Sequence, residues 1–570
     1  MKPTFLMRAV LAILVTAALI LCFACAPGEE EAPPGTAGEK EPAEKAPEPS
    51  GPQILRVNIA GEPATIDPNR ASWSTERTVI MQVFEGLLGF NPDLSLKAVV
   101  ATAIPSLANK GISADGLTYT FKLRTNVTWS DGKKVTASDF EYSIKRMLDP
   151  DLAAEYSSFY FDIVGSEEYY TSADADAATR QQLRDAVGVK AVDSTTLEIK
   201  LTQARPTFLQ VMAMWPVFPV REDIITEHGE KWTEPGTYIG NGPFILTEWE
   251  HQDHITMEVN PNYWGTKPKL TEIHMKMITD VNAEIAAYRN NELDMSRVPT
   301  GTEVATMQDP VLGKEILRYA ELVTFAFQFN VNNPPFDNVK LRQALATAID
   351  RVAFVEKVRG GVGAPAYSWI PPGMPGYDAD LGKEYEFNTT RAKQLLAEAG
   401  FADVSKLPEL KFQYADTAGN RVMAEFLQGQ MQDNLGVKLT LEPMEPKAFS
   451  QFVNQEQHTW AWFGWGADYP DPDNWLPELF GTGAGNNHTG YSSATFDAKA
   501  KAAKAELENT KRLQLWAEAQ EIVMDDCPIA TMFYRERFVL VKPSVKGLNT
   551  TGMDGSIAGD MFLTTVYLTK

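Results

Sequence analysis

The chain has 570 residues, of which 44% are hydrophobic and 22% charged, a balance typical of soluble globular proteins that excludes wholesale disorder. At roughly 100–200 residues per domain, its length predicts several folding units or fewer large ones. The formal net charge of −23 at pH 7 repels phosphate backbones and argues against nucleic acid as a partner, while three cysteines are too few for a disulfide framework.

The extreme N-terminus has the pattern of a secretory signal. Two basic residues precede an almost entirely apolar run over residues 9–23. This run is shorter than the roughly 20 residues of a membrane-spanning helix and fits the hydrophobic region of a signal peptide. Ala24 before Cys25 resembles the cleavage site of bacterial lipoproteins, so residues 1–25 are predicted to be a lipoprotein signal peptide with Cys25 as the lipidated residue. The alternative is an uncleaved N-terminal helix that anchors the chain by itself.

Residues 26–52 have a different composition from the rest of the chain. They contain seven Glu, two Lys and no aromatic residue, with many Pro, Gly and Ala. Such a segment buries too little apolar surface to offset the entropy of ordering, which predicts a disordered acidic tether. Signal, cysteine and tether together predict an exported protein of the cell envelope, lipid-anchored on the outside of the cytoplasmic membrane or in the periplasm.

After the predicted tether, the first part of the chain shows strand and helix patterns. The alternation of apolar and polar residues over 55–59 and again over 117–123 predicts two strands, the second half-buried. Ser138 lies three residues before Glu141, a capping-box pattern that predicts a helix ended by Pro150.

A hairpin turn is predicted at Asp193-Ser194, within a mixed region between about residues 90 and 218. Further on, Asn338 is positioned to cap a helix with an apolar face over 341–352 that ends near Gly360.

The segment from 410 to 441 alternates between the two kinds of pattern. Strand patterns over 410–414 and 437–441 flank a helical pattern over 423–431. This order is a βαβ unit and therefore a piece of parallel sheet. The predicted fold class is α/β.

Catalytic motifs give mostly negative results. The sequence has no G-x-S-x-G elbow, no P-loop lysine motif and no C-x-x-C pair, so no cofactor and no enzymatic activity are predicted. His251 and His254 are placed like metal ligands, but a polar hairpin turn explains them better. Asp468, Asp471 and Asp473 allow a hydrolase or calcium interpretation, although the prolines between them favour a rigid loop.

The segment from Trp460 to Trp475 holds four tryptophans and a tyrosine beside a run of acids. Two interpretations stay open for it. One is a core strand that leads into an acidic loop. The other is a ligand-binding wall, in which flat aromatic faces line a groove and one carboxylate meets a cationic group of the ligand.

Several segments in order along the chain carry a family resemblance. They are Val83–Leu88, Ala114–Arg124, Trp129–Phe140, Gly240–Leu246, Asn260–Trp264, Leu341–Asp350 and Gly464–Tyr469. With these segments, nearly the whole mature chain resembles the extracytoplasmic solute-binding proteins of peptide ABC importers, especially the oligopeptide-binding proteins of family 5.

The resemblance implies a periplasmic-binding-protein type II fold, with two lobes, a hinged ligand cleft and an extra inserted subdomain. It places the core of lobe I at 53–86, 219–300 and 536–570. The inserted subdomain of lobe I would be 87–218, and lobe II would be 301–535.

The resemblance also implies how the amine end of a peptide is held. The aspartate of the G-W-x-A-D-Y segment pairs with the peptide ammonium in this family, which gives that role to Asp468. Backbone hydrogen bonds are expected from Gly464 and Gly466, with Trp465 in the same wall. Tyr156 is expected to face the ligand from the opposite lobe, with an ordinary buried tyrosine as the alternative.

Two departures leave recognition of the peptide carboxylate open. Enterobacterial members carry an arginine where this chain has Trp462, and a ligand-facing tryptophan where Pro446 stands. Arg421, or Asn420 beside it, is the candidate that substitutes for them.

The expected partners are a peptide ligand, the permease and ATPase subunits of an ABC importer, and a membrane through the lipid anchor; a monomer is predicted. One alternative keeps the fold with another small solute, such as a sugar, an opine or a nickel chelate, stacked on the aromatic cluster. Another is an extracytoplasmic hydrolase that uses Asp468 with Asp471 or Asp473.

Overall fold

The computed structural model describes residue 49, residues 51–298 and residues 301–569. The predicted signal peptide, Cys25 and nearly all of the predicted tether lie outside the described residues. Within these ranges no helix has the length and apolar character needed to cross a membrane. The chain from Pro49 onward forms one compact unit.

The strands are β1 (Ile54–Asn58), β2 (Leu88–Phe90), β3 (Leu96–Ala98), β4 (Thr118–Lys122), β5 (Val189–Asp193), β6 (Thr196–Lys200), β7 (Phe244–Glu250), β8 (His254–Val259), β9 (Glu272–Lys276), β10 (Met295–Arg297), β11 (Ile316–Phe329), β12 (Ala364–Pro365), β13 (Leu410–Ala415), β14 (Leu439–Met444), β15 (Trp460–Gly466), β16 (Ile529–Val541), β17 (Val545–Lys546) and β18 (Tyr567–Leu568).

The α-helices are α1 (Ser74–Val83), α2 (Ala137–Met147), α3 (Ser166–Tyr170), α4 (Ala177–Ala186), α5 (Phe208–Val211), α6 (Glu222–His228), α7 (Val281–Arg289), α8 (Glu303–Gln308), α9 (Val339–Thr347), α10 (Arg351–Ala353), α11 (Thr389–Glu398), α12 (Ala418–Leu435), α13 (Pro446–Asn454), α14 (Pro477–Phe480), α15 (Ala494–Ala505) and α16 (Asn509–Asp526).

The first lobe is built on a four-stranded sheet with the order β1-β9-β8-β7. The predicted first strand is confirmed as β1, which pairs in parallel with β9 and buries Leu55 and Val57 completely. The predicted hairpin turn at His251 and His254 is also confirmed, between β7 and β8.

Two smaller sheets belong to the mixed region. A three-stranded antiparallel sheet has the order β4-β6-β5, and β2 pairs with β3. The alternation in β4 is confirmed, because Tyr119 and Phe121 are fully buried. The turn at Asp193-Ser194 is confirmed as the connection between β5 and β6.

The capping box predicted for α2 lies two residues earlier than expected. Thr136 has extended backbone angles and is the N-cap, and Asp139 accepts hydrogen bonds from its backbone N–H (2.7 Å) and its hydroxyl (2.9 Å). Ser138 is inside the helix, so the prediction of Ser138 with Glu141 is wrong. A second Ser/Thr–acid pair in the same stretch supplies the cap.

The second lobe is built on a larger sheet with the order β10-β16-β11-β15-β13-β14, to which β12 adds at β16. The predicted βαβ unit is confirmed, since β13 and β14 pair in parallel and α12 connects them. The long strands β11 and β16 reach toward the first lobe, where β16 pairs with β10 and Asp294 forms an ion pair with Arg56 of β1 (2.7 Å). The fold is α/β with two lobes.

The helix predicted over 341–352 is in fact interrupted. Asn338 does cap α9, but α9 ends at Thr347. Asp350 then accepts a hydrogen bond from the backbone of Ala353 and starts α10, which continues into a wider π-type turn, Phe354–Val358. The side chain of Asp350 therefore competes with helix continuation. The residue after the new segment, Arg359, lines the cavity described below.

Candidate functional site

Strand β15 has one open edge. Along one side it pairs with β11 from Trp460, opposite Phe329, to Gly466, opposite Val323. On the other side its pairing with β13 is limited to the single position of Ala461. Within the described residues, the end of β15 nearest Gly466 therefore lacks a second neighbour, as an edge strand does.

The register shows which backbone groups face that open edge. Thr459 accepts a hydrogen bond from Asn330, and Ala467 donates one to Leu322, so the odd-numbered residues of β15 face β11. Because alternate residues of an antiparallel strand face opposite neighbours, the N–H and C=O groups of Gly464 and Gly466 face the open side. Neither glycine has a backbone hydrogen bond to another described residue on that side.

Asp468 lies in the loop that follows β15 and is held there by Asn474. Its backbone N–H donates to the Asn474 side chain (2.8 Å), and the Asn474 amide donates back to the Asp468 carboxylate (3.0 Å). Trp465 donates its indole N–H to the carbonyl of Asn474 (2.8 Å), which ties the strand to the same residue.

The Asp468 carboxylate is short of a counter-charge. Burial raises its pKa, and the hydrogen bond from Asn474 offsets only part of that effect. No Lys, Arg or His nitrogen in the described part of the chain lies within 4.0 Å of it. The charged form of such a carboxylate would be stabilised by a cationic group brought close to it.

The neighbouring acids Asp471 and Asp473 have hydrogen-bond partners that hold the loop together. Both oxygens of Asp471 accept hydrogen bonds from the guanidinium of Arg512, at 2.8 and 2.7 Å. Asp473 accepts one from the hydroxyl of Tyr469 (3.0 Å). These side chains hold the loop together, and neither shares a hydrogen bond with Asp468 as a paired acid and base would.

Tyr156 lies on a short 3₁₀ turn, Glu155–Tyr160, near Asp468. Its ring stacks on Phe159 (5.3 Å between ring centres) and packs against Trp215 (5.0 Å). Burial and then the negative charge of Asp468 raise the pKa of Tyr156. The structure therefore brings together two residues that are 312 positions apart in the printed sequence.

A cavity of about 750 Å³ is shared by the two lobes, and Asp468, Tyr156 and Trp465 are not among its lining residues. Asp468 and Trp465 line a separate cavity of about 270 Å³. Ala60, Ser74 and Ser556 line the larger cavity from the first lobe, and Asn420 and Trp462 from the second. A stack of aromatic rings forms part of its wall: Phe325 lies 5.5 Å from Trp462 and 4.9 Å from Phe533, measured between ring centres.

Arg359 is the residue of this cavity that sequence reasoning missed. Burial lowers its pKa, its Nε has no hydrogen-bond partner, and its guanidinium lies 4.7 Å from the centre of the Phe533 ring. Among the described residues no carboxylate forms an ion pair with it. The sequence gave no sign of a binding role for Arg359. It lies near the end of a predicted helix, where a cation is ordinarily explained by its favourable interaction with the helix dipole.

The two residues predicted to bind the carboxylate end of a peptide, Asn420 and Arg421, have different surroundings. Asn420 lines the cavity and donates its amide to the carbonyl of Ala415 (2.9 Å). Arg421 is more than half exposed, forms an ion pair with Asp416 (2.7 Å), and is not among the residues that line the cavity.

The histidines at the β7–β8 turn engage neighbouring acids. Nδ1 of His251 lies 2.8 Å from Glu62, and Nδ1 of His254 lies 2.7 Å from Asp253. No group of three or more potential metal ligands occurs among the residues that the structure describes.

Residues 102–487 match the family model of bacterial extracellular solute-binding proteins, family 5. The chain belongs to this family. It is 32% identical over 527 residues to the oligopeptide-binding protein OppA of Bacillus subtilis, covering 91% of this chain and 93% of that protein. It is 30% identical over 524 residues to the periplasmic oligopeptide-binding protein OppA of Salmonella typhimurium, with 91% and 93% covered.

Solved structures of family 5 proteins share the fold. The unliganded open form of the murein tripeptide binding protein MppA matches with a TM-score of 0.83 at 27% identity, covering 92% of this chain and 99% of that chain. Haemophilus influenzae OppA in complex with the peptide RPPGFSPFR matches with a TM-score of 0.61 at 25% identity, covering 92% and 100%. This chain therefore superposes more closely on the open form of MppA than on the peptide complex of Haemophilus influenzae OppA.

Proposed function

We propose that this chain is the substrate-binding subunit of a peptide ABC importer and that Asp468 binds the N-terminal ammonium of the peptide. The observation that carries the proposal is the half-buried Asp468 carboxylate, which has no cationic partner among the described residues and adjoins an open strand edge. The named family relatives, which bind oligopeptides, support the ligand class.

The backbone of β15 supplies recognition that does not depend on peptide sequence. An extended peptide adds to the open edge as a further strand, with hydrogen bonds to the groups of Gly464 and Gly466 that face away from β11. All peptides share an ammonium group and repeating amides, so such a site accepts many sequences. Tyr156 and Trp465 close the site around the amine.

Arg359 is our candidate for the carboxylate end of the peptide. An unpaired guanidinium binds a carboxylate through two parallel hydrogen bonds when the geometry allows it. Arg359 lines the same cavity as Trp462 and Asn420, and we expect the aromatic rings and the amide to contact the peptide between its two ends.

The remaining parts of the proposal concern the cell envelope. We place the protein outside the cytoplasmic membrane, lipid-anchored through Cys25 and carried on the acidic tether, as a monomer. The lobes close on the peptide by a hinge motion, and the permease and ATPase subunits of the importer receive the closed form.

The test is calorimetry with a free tripeptide and its N-acetylated twin, on the wild type and on Asp468→Asn. Removing a buried charge partner commonly costs ~3–5 kcal/mol; because this carboxylate is only half-buried, we expect a loss near the lower end, about a hundredfold in affinity. Acetylation of the peptide should weaken wild-type binding to a similar extent. Asp433→Asn, on the exposed face of α12, is the control. Equal affinity of the wild type for the free and the acetylated peptide would show that Asp468 does not bind the peptide ammonium.

Native mass spectrometry of protein purified without denaturation tests the ligand class separately. A co-purified peptide supports the proposal. A sugar, an opine or a nickel chelate in its place would keep the family and overturn the peptide assignment.

A further inference from the structure

We propose that the outer face of the sheet in the first lobe binds a divalent transition-metal ion, of which Zn²⁺ is the probe, through His254, His274, Glu248 and Glu272. The ion lies between two half-sites, each formed by one histidine and the glutamate beside it. None of the four residues lines the cavity shared by the two lobes. The site is therefore separate from that cavity and does not rest on the proposed function.

An opening of about 460 Å³ on this face has a lining rich in metal-ligating groups, with two histidines, three glutamates and two threonines. Successive residues of a strand point to opposite faces of a sheet. Ile255 and Ile273, each next to one of the histidines, are completely buried. The histidines therefore lie on the outer face, together with the glutamates that line the same opening.

Thr256 of β8 lies at the centre of the site. Glu248 of β7 is paired with it on one side, and His274 of β9 is paired with it on the other. His254 lies two positions earlier on β8 and therefore on the same face. Because neighbouring strands are ~4.8 Å apart, imidazoles and a carboxylate that reach over the short threonine side chain from three directions can meet at one ion.

Each histidine already lies next to its glutamate. Nε2 of His254 is 3.2 Å from a carboxylate oxygen of Glu248, and Nε2 of His274 is 3.3 Å from one of Glu272. Imidazole nitrogen and carboxylate oxygen are both ligands of Zn²⁺. Each pair thus supplies two ligand atoms from neighbouring positions.

The other ring nitrogen of His254 has the partner that a metal ligand commonly has. Its Nδ1 lies 2.7 Å from the carboxylate of Asp253. A metal-bound histidine usually donates its second ring N–H to such a group, which fixes the ring and makes the ligating nitrogen more basic. Asp253 therefore holds His254 with Nε2 on the side of Glu248.

Glu258 adds negative charge to the opening without a counter-charge. It is paired directly opposite Glu272 in the β8–β9 ladder, and like charges in such positions destabilise a sheet. No Lys, Arg or His nitrogen in the described ranges lies within 4.0 Å of its carboxylate. A bound dication relieves this repulsion, so the charges of the face favour a cation as the ligand.

The two half-sites are apart in the structure, and no three ligating groups of the described residues lie close enough together to hold an ion. The four side chains are 28–59% exposed, so they can rotate toward each other. Zn²⁺ binds nitrogen and oxygen ligands at about 2.0–2.2 Å. Binding therefore draws the half-sites together by side-chain rotation. Imidazole ligands favour zinc, copper or nickel over magnesium and calcium.

The experiment is calorimetry of ZnCl₂ binding to tag-free protein that has been stripped of metal with a chelator and dialysed. It is done at about pH 7.5, because metal binding requires neutral imidazoles. One ion per chain is expected. MgCl₂ and CaCl₂ in excess should not displace it, because these ions prefer sites made of oxygen ligands.

Histidine variants locate the ion. His254→Gln and His274→Gln should each weaken Zn²⁺ binding roughly tenfold or more, since loss of an outer-shell partner alone costs roughly 10–100-fold. His251→Gln is the matched control, because His251 belongs to the same turn as His254 and its Nδ1 lies 2.8 Å from Glu62 instead. This control should bind Zn²⁺ as the wild type does.

Thermal unfolding provides a second measurement. An ion that binds only the folded state raises the Tm. ZnCl₂ should therefore raise the Tm of the wild type and of His251→Gln, and it should leave that of the double variant His254→Gln/His274→Gln unchanged. If the double variant does not fold, Glu248→Gln/Glu272→Gln takes its place, with the same expected result.

Three outcomes would overturn the inference. The first is a wild type that does not bind Zn²⁺, and the second is an affinity that stays the same in both single histidine variants. The third is a loss of binding in His251→Gln but not in His274→Gln, which would place the ion at the turn. None of these outcomes bears on the proposed peptide binding.

Discussion

Asp468 and Asp471 lie three positions apart on one loop and have different surroundings. Burial raises the pKa of both carboxyls, but Asp471 has the guanidinium of Arg512 as an internal counter-charge. In the part of the chain that the structure describes, the Asp468 carboxylate accepts a hydrogen bond from the Asn474 amide and has no counter-charge. The partner that distinguishes them comes from α16, far along the chain. The alternation of Asp and Pro in the loop sequence does not show which of the two aspartates has an internal counter-charge.

Also at the scale of the residue, a substitution tests whether Arg359 or Arg421 binds the carboxylate end of the peptide. We expect Arg359→Gln to lower the affinity for a free tripeptide by roughly ten- to a hundredfold, because a hydrogen bond to a charged group is worth ~1.5–3 kcal/mol. The C-terminally amidated tripeptide should lose much less. Calorimetry with both peptides measures the difference.

The controls for this prediction are two further arginines. Arg391→Gln, which removes an exposed ion pair with Glu398, should leave both affinities as they are. If the loss appears in Arg421→Gln and not in Arg359→Gln, the sequence-based candidate holds and our assignment of Arg359 is wrong.

At the scale of the element, strand β15 depends on its two glycines in different ways. A Cβ added at Gly464 would lie 2.5 Å from the ring of Phe325, while one added at Gly466 would lie 3.4 Å from Val323, an ordinary contact. The Phe325 ring is stacked between Trp462 and Phe533 and cannot move alone. Close approach of an aromatic ring is therefore the reason for glycine at position 464.

This difference predicts the stability of two matched variants. Gly464→Ala should lower the free energy of unfolding by about 1–3 kcal/mol, the usual cost of overpacking. Gly466→Ala should change it by less than about 0.5 kcal/mol, as ordinary surface substitutions do. Denaturant unfolding of both variants measures this, and equal destabilisation would show that the Phe325 contact is not the cause.

Elements with strong local patterns could be predicted from the sequence, and elements that depend on distant partners could not. The alternation in β4 and the βαβ unit around α12 are local signals and were confirmed. At the break between α9 and α10 Asp350 caps the new segment, and the buried guanidinium of the next residue, Arg351, donates to carbonyls of Thr531, Ala346 and Tyr385. The periodicity of a sequence does not show such contacts. Because the break could not be predicted, the location of Arg359 in the cavity could not be predicted either.

At the scale of the whole molecule, the family resemblance implied the two lobes and the cleft, and the sheets of the structure agree with them. The predicted domain bounds stay a prediction. Physical reasoning from residues alone reached the α/β class but not the lobes, because the pairing of β11 with β16 joins segments about 200 positions apart. Contacts of that separation leave no mark on local sequence.

The stability of the whole fold is expected to depend on pH through His458. This side chain is completely buried, neither ring nitrogen has a hydrogen-bond partner among the residues that the structure describes, and burial lowers its pKa to about 4. The unfolded chain has the ordinary histidine pKa of roughly 6.5. Between these values the unfolded state binds more protons, so stability is full above pH 6.5 and falls as the pH decreases toward 4.

The expected loss from this one group is about 3 kcal/mol. His458→Phe should therefore show a weaker decrease in the free energy of unfolding between pH 7 and pH 4.5 than the wild type. His228→Gln, at the C-terminal end of α6 where the side chain is half-buried, is the control and should follow the wild type. Parallel pH curves for the wild type and His458→Phe would contradict the prediction.

The pairing of β11 with β16 is interrupted between Ala320 and Thr324, so that three residues on one strand face one on the other. Glu321 lies in this gap and contacts both Arg535 and Arg537. The β11–β15 ladder begins at Val323, inside the same gap. We infer that bending at this point would change the angle between the lobes and leave that ladder intact, so that β15 would keep its orientation within the second lobe as the molecule opens and closes.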